Sequence, residues 1–234
     1  MNKISIKSPA KLNLYLKIIS KLPNNYHEID SRFQLIDIYD DLSFLNTKSS
    51  KISVKCSDTS IKEKDNIVYK TAIEMQELNN GGGIDICIKK VIPSGAGLGG
   101  GSSDAASTII MLNKLWNMSL SLEQMLDIGR RIGADVPFFI NGKNADVSGA
   151  GDIIQQIDSD ISNYIVIDPL IFNSTKSMFA KYSITDSHGN NVSSYQQNSF
   201  WSIFLDANKQ VKKFYTENIK KYEICLSGSG SAMF

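Results

Sequence analysis

Between Pro93 and Ala106 the chain reads Pro-Ser-Gly-Ala-Gly-Leu-Gly-Gly-Gly-Ser-Ser-Asp-Ala-Ala, with five glycines inside seven residues. Glycine accepts positive φ and lets another group approach the backbone, at a cost in folding entropy. A run of exposed N–H groups in such a loop can form an anion-binding concavity. The flanks set the reading. Ile84-Asp85-Ile86-Cys87-Ile88 alternates apolar and polar residues, as a half-buried strand does. Ala105, Ile109, Leu112 and Trp116 then recur at helical spacing, with Ser102 and Ser103 expected to cap that helix. Strand, glycine loop and helix N-terminus follow one another, and the free N–H groups and dipole of such a helix suit phosphate.

Two phosphate loops are excluded. Gly95-x-Gly97-x-x-Gly100 satisfies a dinucleotide pattern by letter, but that pattern needs a βαβ unit. Here a second helix follows the first, opened by Ser121-x-x-Gln124 as a capping box. No lysine follows the glycines, so the Walker pattern is absent as well. A net charge of +1 gives no electrostatic case for nucleic acid or membrane. The longest apolar runs, such as Val136 to Ile140, are too short to span a bilayer, so a cytoplasmic protein is expected. Cys56, Cys87 and Cys225 are widely spaced and read as buried free thiols.

Other stretches carry candidate chemistry. Lys11 to Ile18 alternates, with Leu12, Leu14, Leu16 and Ile18 toward the core and Lys11, Asn13, Tyr15 and Lys17 on the other face. By pattern alone that second face is a solvated one. A polar turn from Lys21 ends in Tyr26-His27, and Phe33 follows. Asn66 precedes a helix that runs to Leu78, where asparagine is also an ordinary N-cap. Gly133-Ala134-Asp135-Val136-Pro137-Phe138-Phe139 places a carboxylate at a turn before an expected apolar strand, a position that an Asx turn also explains. Ser174-Thr175 opens a helix with Met178 and Phe179. Tyr164 to Ile167 reads as a buried strand, Asp186 to Asn198 as a polar loop, and Glu223 to Leu226 as a strand entering Ser227-Gly228-Ser229-Gly230-Ser231.

The Pro93–Ala106 loop resembles the phosphate loop of the GHMP small-molecule kinases. Its triple glycine with Ser-Ser points within that family to the kinases of 4-diphosphocytidyl-2-C-methyl-D-erythritol. Ser8-Pro9-Ala10-Lys11-Leu12-Asn13-Leu14 is similar to the family's first motif, the Gly133–Phe139 segment to its catalytic turn, and Ser227–Ser231 to its third motif. The resemblance implies an α+β, two-domain GHMP kinase fold with the active site in the interdomain cleft. The domains expected are 1–155, carrying the loop, and 156–234. It implies ATP, with Mg²⁺ on its phosphates and unassigned metal ligands, and a cytidine diphosphate-linked methylerythritol substrate. Lys11 and Asp135 are the implied catalytic pair. ATP would be held by Asn66 and by Pro93, Ser94, Gly95, Ala96, Gly97, Leu98, Gly99, Gly100, Gly101, Ser102 and Ser103. Substrate would be held by Lys11, Asn13 and Asp135, with Tyr26, His27, Phe33, Thr175 and Phe179 around the cytosine.

Departures from the family pattern sharpen these expectations. Asn24-Asn25 stands where relatives carry Asp-Gly, and Ser199 where they carry an acid. Phe234 closes the sequence inside an expected strand, so a shortened chain with a weaker C-terminal domain is expected. Two alternatives stay open: another small-molecule kinase of the same family, and an inactive nucleotide-binding homologue. A side chain at Gly100 is expected to block phosphate while sparing the fold.

Overall fold

The computed structural model describes residues 3–23, 26–78, 82–158, 162–182 and 198–234. Packing divides the chain into two compact units whose segments interleave. One comprises Met1–Ala10, Ile36–Ile92 and Gly99–Gly142; the other comprises Lys11–Leu35, Pro93–Leu98 and Lys143–Phe234. Two long strands, β1 (Ile4–Lys21) and β2 (His27–Thr47), contribute residues to both units, whereas the sequence reading cuts the chain once near 155.

In the first unit, β4 (Gly83–Lys89) pairs antiparallel with the second half of β2, from Asp41 opposite Lys89 to Thr47 opposite Gly83. On its other edge β4 runs parallel to β3 (Ile52–Cys56). The alternation read in β4 is real: Ile84, Ile86 and Ile88 are buried, and Asp85 and Cys87 are exposed. Four helices complete the unit: α1 (Ile67–Leu78), α2 (Gly100–Leu115), α3 (Leu122–Ile132) and α4 (Val136–Asn141). Helix α2 packs against α1, α3 and α4 and buries Ala105, Ile109 and Leu112. Ser121 and Gln124 form the expected capping box in both directions.

Two local expectations change here. Val136–Asn141 is a helical turn, not a strand. A short apolar run does not distinguish the two by periodicity. Pro137 sits in the first turn, where its missing N–H costs nothing, and Gly142 ends the helix at φ +66°. Ser102 and Ser103 do not cap α2. The N-cap is Gly99, at φ +72°, and both serines lie in the opening turns of the helix.

In the second unit the first half of β2 pairs antiparallel with β5 (Ala145–Gly149), from Ile29 opposite Gly149 to Phe33 opposite Ala145. Strand β6 (Ile153–Gln156) pairs with β5 in turn. Helices α5 (Thr175–Lys181), α6 (Trp201–Ala207) and α7 (Lys209–Asn218) follow. Leu16, Ile18, Met178, Phe200, Phe204, Val211, Leu226 and Met233 form the core.

The expected buried strand at Tyr164–Ile167 is not formed. Within it only Ile167 pairs, with Met233, and Ile165 is 80% exposed. One bridge fixes one residue, and Pro169, two residues on, brings no N–H to extend it. Met233 also bridges Leu226, and Cys225 exchanges backbone hydrogen bonds with Phe234 at 2.9 Å, so Glu223–Leu226 is an isolated pairing and not a full strand. The expected loop before Asn198 lies outside the described residues. All three cysteines are free, but the expectation that they are buried holds only for Cys225; Cys56 is half-buried and Cys87 exposed.

Candidate active site

In the first unit the glycine loop enters helix α2. The left-handed Gly99 turns the chain, and the Ser103 N–H donates to Gly99 O at 2.9 Å. Ser103 is 1% exposed, and among the described residues its hydroxyl has no hydrogen-bond partner. A buried polar atom left unpaired costs free energy, and such a group needs an explanation. A Cβ on Gly101 would meet only Ile67 Cγ2, at 3.6 Å, an ordinary contact. Gly100 differs. A Cβ there would stand 2.8 Å from Ile92 Cγ2 and 3.2 Å from Lys90 Nζ. The expectation that a side chain at Gly100 would spare the fold is therefore corrected: the space beside it is already filled by protein.

Asn66 is buried, and its Oδ1 accepts the Val68 N–H at 2.9 Å. Its side-chain oxygen thus caps α1, the ordinary use of asparagine at that position. Asp135 is half-buried at the N-cap of α4, yet its side chain makes no cap hydrogen bond. The Asx-cap explanation of this aspartate fails on that geometry.

In the second unit Lys11 and Asn13 overturn the expectation of a solvated face. They are 4% and 2% exposed, although alternation places them opposite Leu12 and Leu16. The Lys11 ammonium donates to Asn13 Oδ1 and lies 4.5 Å from the centre of the Phe33 ring. Asn13 in turn donates to Ser31 Oγ at 2.9 Å, and its backbone N–H donates to Ser227 Oγ at 3.2 Å. Tyr15 donates to Asp30 Oδ1 at 2.9 Å; burial and that carboxylate push its phenol up to about 12.

The opening half of the glycine loop is fastened in the same unit. The Lys11 N–H donates to Leu98 O, Ser227 Oγ to Gly97 O, the Ala232 N–H to Ala96 O and the Asn173 N–H to Gly95 O, all at 3.0–3.1 Å. Added Cβ atoms on Gly95 and Gly97 would stand 2.5 Å from the Phe172 ring and 2.1 Å from Ser227 O. These glycines make room for protein.

The aromatic residues do not gather as one group. His27 stacks on Phe179 with centroids 4.8 Å apart and planes 21° apart, and Phe200 meets Phe179 edge-on at 4.9 Å. Burial holds the His27 imidazole below its ordinary range, and the Lys21 charge adds to this. Tyr26 stands 63% exposed, while Phe33 is buried beneath Lys11. Thr175 Oγ1 lies 2.8 Å from Ser229 Oγ.

Sequence reasoning missed the residues that fasten this loop. Asn198 donates to Leu226 O at 2.7 Å and Gly228 O at 2.8 Å, shaping the Ser227–Ser231 turn. Asn173 and Ser227 bind the opening half of the loop. Ser227 lies in the Ser-Gly repeat from 227 to 231, whereas Asn173 and Asn198 sit in no local pattern of their own. Only the glycine repeat at 228 and 230 marked the region.

Residues 66–143 match the family model for the GHMP kinases N terminal domain. The chain is 42% identical over 195 residues to the 4-diphosphocytidyl-2-C-methyl-D-erythritol kinase of Acinetobacter baumannii, covering 82% of this chain and 70% of the relative. It is 37% identical to the Acinetobacter baylyi protein of the same name, covering 99% and 86%. A crystal structure of 4-(cytidine 5'-diphospho)-2C-methyl-D-erythritol kinase superposes with a TM-score of 0.84 at 27% identity, covering 98% of this chain and 88% of that one. The Methanococcus jannaschii mevalonate kinase shares the fold, at a TM-score of 0.64, 14% identity and coverage of 99% and 90%. At this identity to relatives matched over most of their length, the chain belongs to the 4-diphosphocytidyl-2-C-methyl-D-erythritol kinase family of GHMP kinases.

Proposed function

We propose that this protein transfers the γ-phosphoryl group of ATP to the tertiary 2-hydroxyl of 4-diphosphocytidyl-2-C-methyl-D-erythritol. The kinship carries the reading: relatives of that name match 70–86% of their own length at 37–42% identity. The unpartnered Ser103 hydroxyl at the opening of α2 supports a phosphate ligand there, since a phosphoryl oxygen supplies the acceptor it lacks. Phosphoryl transfer needs positioning and charge stabilisation more than covalent help. In this reading Asp135 orients the hydroxyl and accepts its proton. The hydroxyl oxygen bonds to the γ-phosphorus as the bridging oxygen leaves with ADP. Lys11 balances the charge on the reacting oxygens, and its hydrogen bond with Asn13 fixes the direction of the ammonium. His27 and Phe179 offer a flat apolar stack suited to a pyrimidine, with a neutral imidazole able to reach a base edge. No group of three His, Cys, Asp or Glu among the described residues could hold a metal. Mg²⁺ would be carried by the nucleotide phosphates, where it would offset their charge. Three free thiols suit a reducing cytoplasm, the compartment we assign.

The test is incubation with ATP and the cytidyl substrate, followed by ³¹P NMR. A new phosphomonoester resonance is expected; absence of transfer, or faster transfer to mevalonate, overturns the reading. Asp135→Asn and Lys11→Met should each lower turnover by roughly 100- to 10,000-fold, with a double variant little worse than either.

A further inference from the structure

Beside the helix end of the glycine loop lies a buried charge cluster that the loop motif does not explain. Lys90 follows β4 directly. Its side chain is 10% exposed, against 0% for Asp40 and 3% for Asp104. The Lys90 ammonium donates to Asp40 Oδ2 and, at 2.9 Å, to Asp104 Oδ2. Asp40 Oδ1 also accepts the backbone N–H groups of Val91 and Ile92, at 2.6 and 2.9 Å. Asp104 Oδ1 is buried with no hydrogen-bond partner among the described residues.

The two carboxylates are therefore unequal. Asp40 accepts from three donors, whereas Asp104 accepts from one. One ammonium cannot neutralise two buried carboxylates, so the cluster carries an uncompensated negative charge unless a proton joins it. That proton belongs on Asp104. Burial pushes its carboxyl up to about 7; Lys90 opposes the shift and the Asp40 charge adds to it. The Cys56 thiol at the end of β3 also feels this cluster. Helices α1, α3 and α4, packed on α2, bury Val68, Thr71, Ala72, Met75, Leu126, Ile128, Val136 and Phe138, none of them charged.

Placement connects this proton to the loop. Asp104 lies in the opening turns of α2, next to the orphan hydroxyl of Ser103. Lys90 Nζ stands 3.2 Å from the place a Gly100 Cβ would occupy, and Asp40 holds Val91 and Ile92 just ahead of the loop. One buried ammonium thus ties the chain entering the loop to the helix that leaves it. We propose that Asp104 is a positioning residue whose protonation is coupled to nucleotide binding, so that the protein takes up a proton when triphosphate arrives at the opening of α2. The inference rests on the loop being the phosphate site. The physical reason is that phosphate charge raises the cost of a second negative charge one turn away. By linkage, the same coupling makes a neutral Asp104 favour nucleotide.

Calorimetry with the non-hydrolysable analogue AMPPNP and Mg²⁺, in buffers of different ionisation enthalpy near pH 7.5, reads proton uptake directly. The parent protein should take up more protons than Asp104→Asn. Between about pH 6 and 8.5 its affinity should fall ~3- to 10-fold more than that of the variant. Equal uptake and equal pH profiles overturn the proposal. Should the variant fail to fold, ¹³C NMR of the Asp104 carboxyl in the parent decides: its midpoint should rise when nucleotide is added, and an unmoved midpoint overturns the coupling. Failure of the parent to bind AMPPNP at all overturns the loop assignment itself. Binding without a proton difference removes only the role of Asp104.

Discussion

The two halves of the glycine loop use the same residue for different ends. From Gly95 to Gly97 the missing side chains make room for protein: the Phe172 ring beside Gly95 and the Ser227 carbonyl beside Gly97. Backbone hydrogen bonds at Gly95, Ala96 and Gly97 fasten this half within its own unit. From Gly99 onward the chain turns left-handed and becomes a helix that carries a hydroxyl unpartnered among the described residues; Gly100 there still makes room for Ile92, but Gly101 faces little. A glycine repeat is therefore not one signal. The first half is scaffold, and in the second the space beside Gly101 stays open.

The largest effect should come from Gly97→Ala. The residue sits at φ +74°, and an added Cβ would lie 2.1 Å from Ser227 O and 3.1 Å from Gly230 O, both backbone atoms that cannot swing aside. We expect a loss of at least about 3 kcal/mol, read by denaturant unfolding. An unchanged midpoint would break the comparison at its first half.

Gly101→Ala should do the opposite. With only Ile67 Cγ2 at 3.6 Å, the fold has no objection, and alanine in a helix gains roughly 0.5–1 kcal/mol over glycine. Nucleotide affinity should nevertheless fall about tenfold, because a methyl group displaces phosphate from the N–H groups it approaches. Nucleotide binding at parental strength would remove this half from the site.

How far the sequence carried the argument differs between the same two regions. Strand β4, the break at the loop and helix α2 were legible because period-two and helical patterns meet there. The capping box at Ser121 was legible because both of its hydrogen bonds join residues three apart. What escaped was long-range. Lys11 and Asn13 look like surface residues by alternation, yet β1 is buried on both faces from Ala10 to Asn13, which one strand cannot reveal. The partners of Asp40, Lys90 and Asp104 are 14 to 52 residues away along the chain. The Tyr164–Ile167 run failed for a related reason: apolar content alone does not supply a neighbour for each backbone group.

Gly95→Ala sharpens the first half by grading it. Its added Cβ would lie 2.5 Å from the Phe172 ring, but Phe172 is 74% exposed and has room to move. What remains is the strain of a non-glycine residue at φ +70°, about 1–2 kcal/mol. Unfolding should register a loss smaller than at Gly97. A larger loss would show that Phe172 is held in place and that this half is fastened more tightly than its hydrogen bonds indicate.

The smallest effect on the fold should come from Ser103→Ala, and it bears on the second half most directly. Ser103 Oγ is buried without a partner, so its removal takes away no intramolecular hydrogen bond and relieves an unsatisfied group. Stability should stay within about 1 kcal/mol of the parent, in either direction. If the hydroxyl donates to a nucleotide phosphate, as the assignment requires, the same change should raise the nucleotide Kd about threefold or more. The two readouts separate the explanations of an orphan hydroxyl. A stability gain with unchanged nucleotide affinity would mean that the atom is merely a packing defect in α2, and the ligand-bearing half of the loop would begin and end with its backbone.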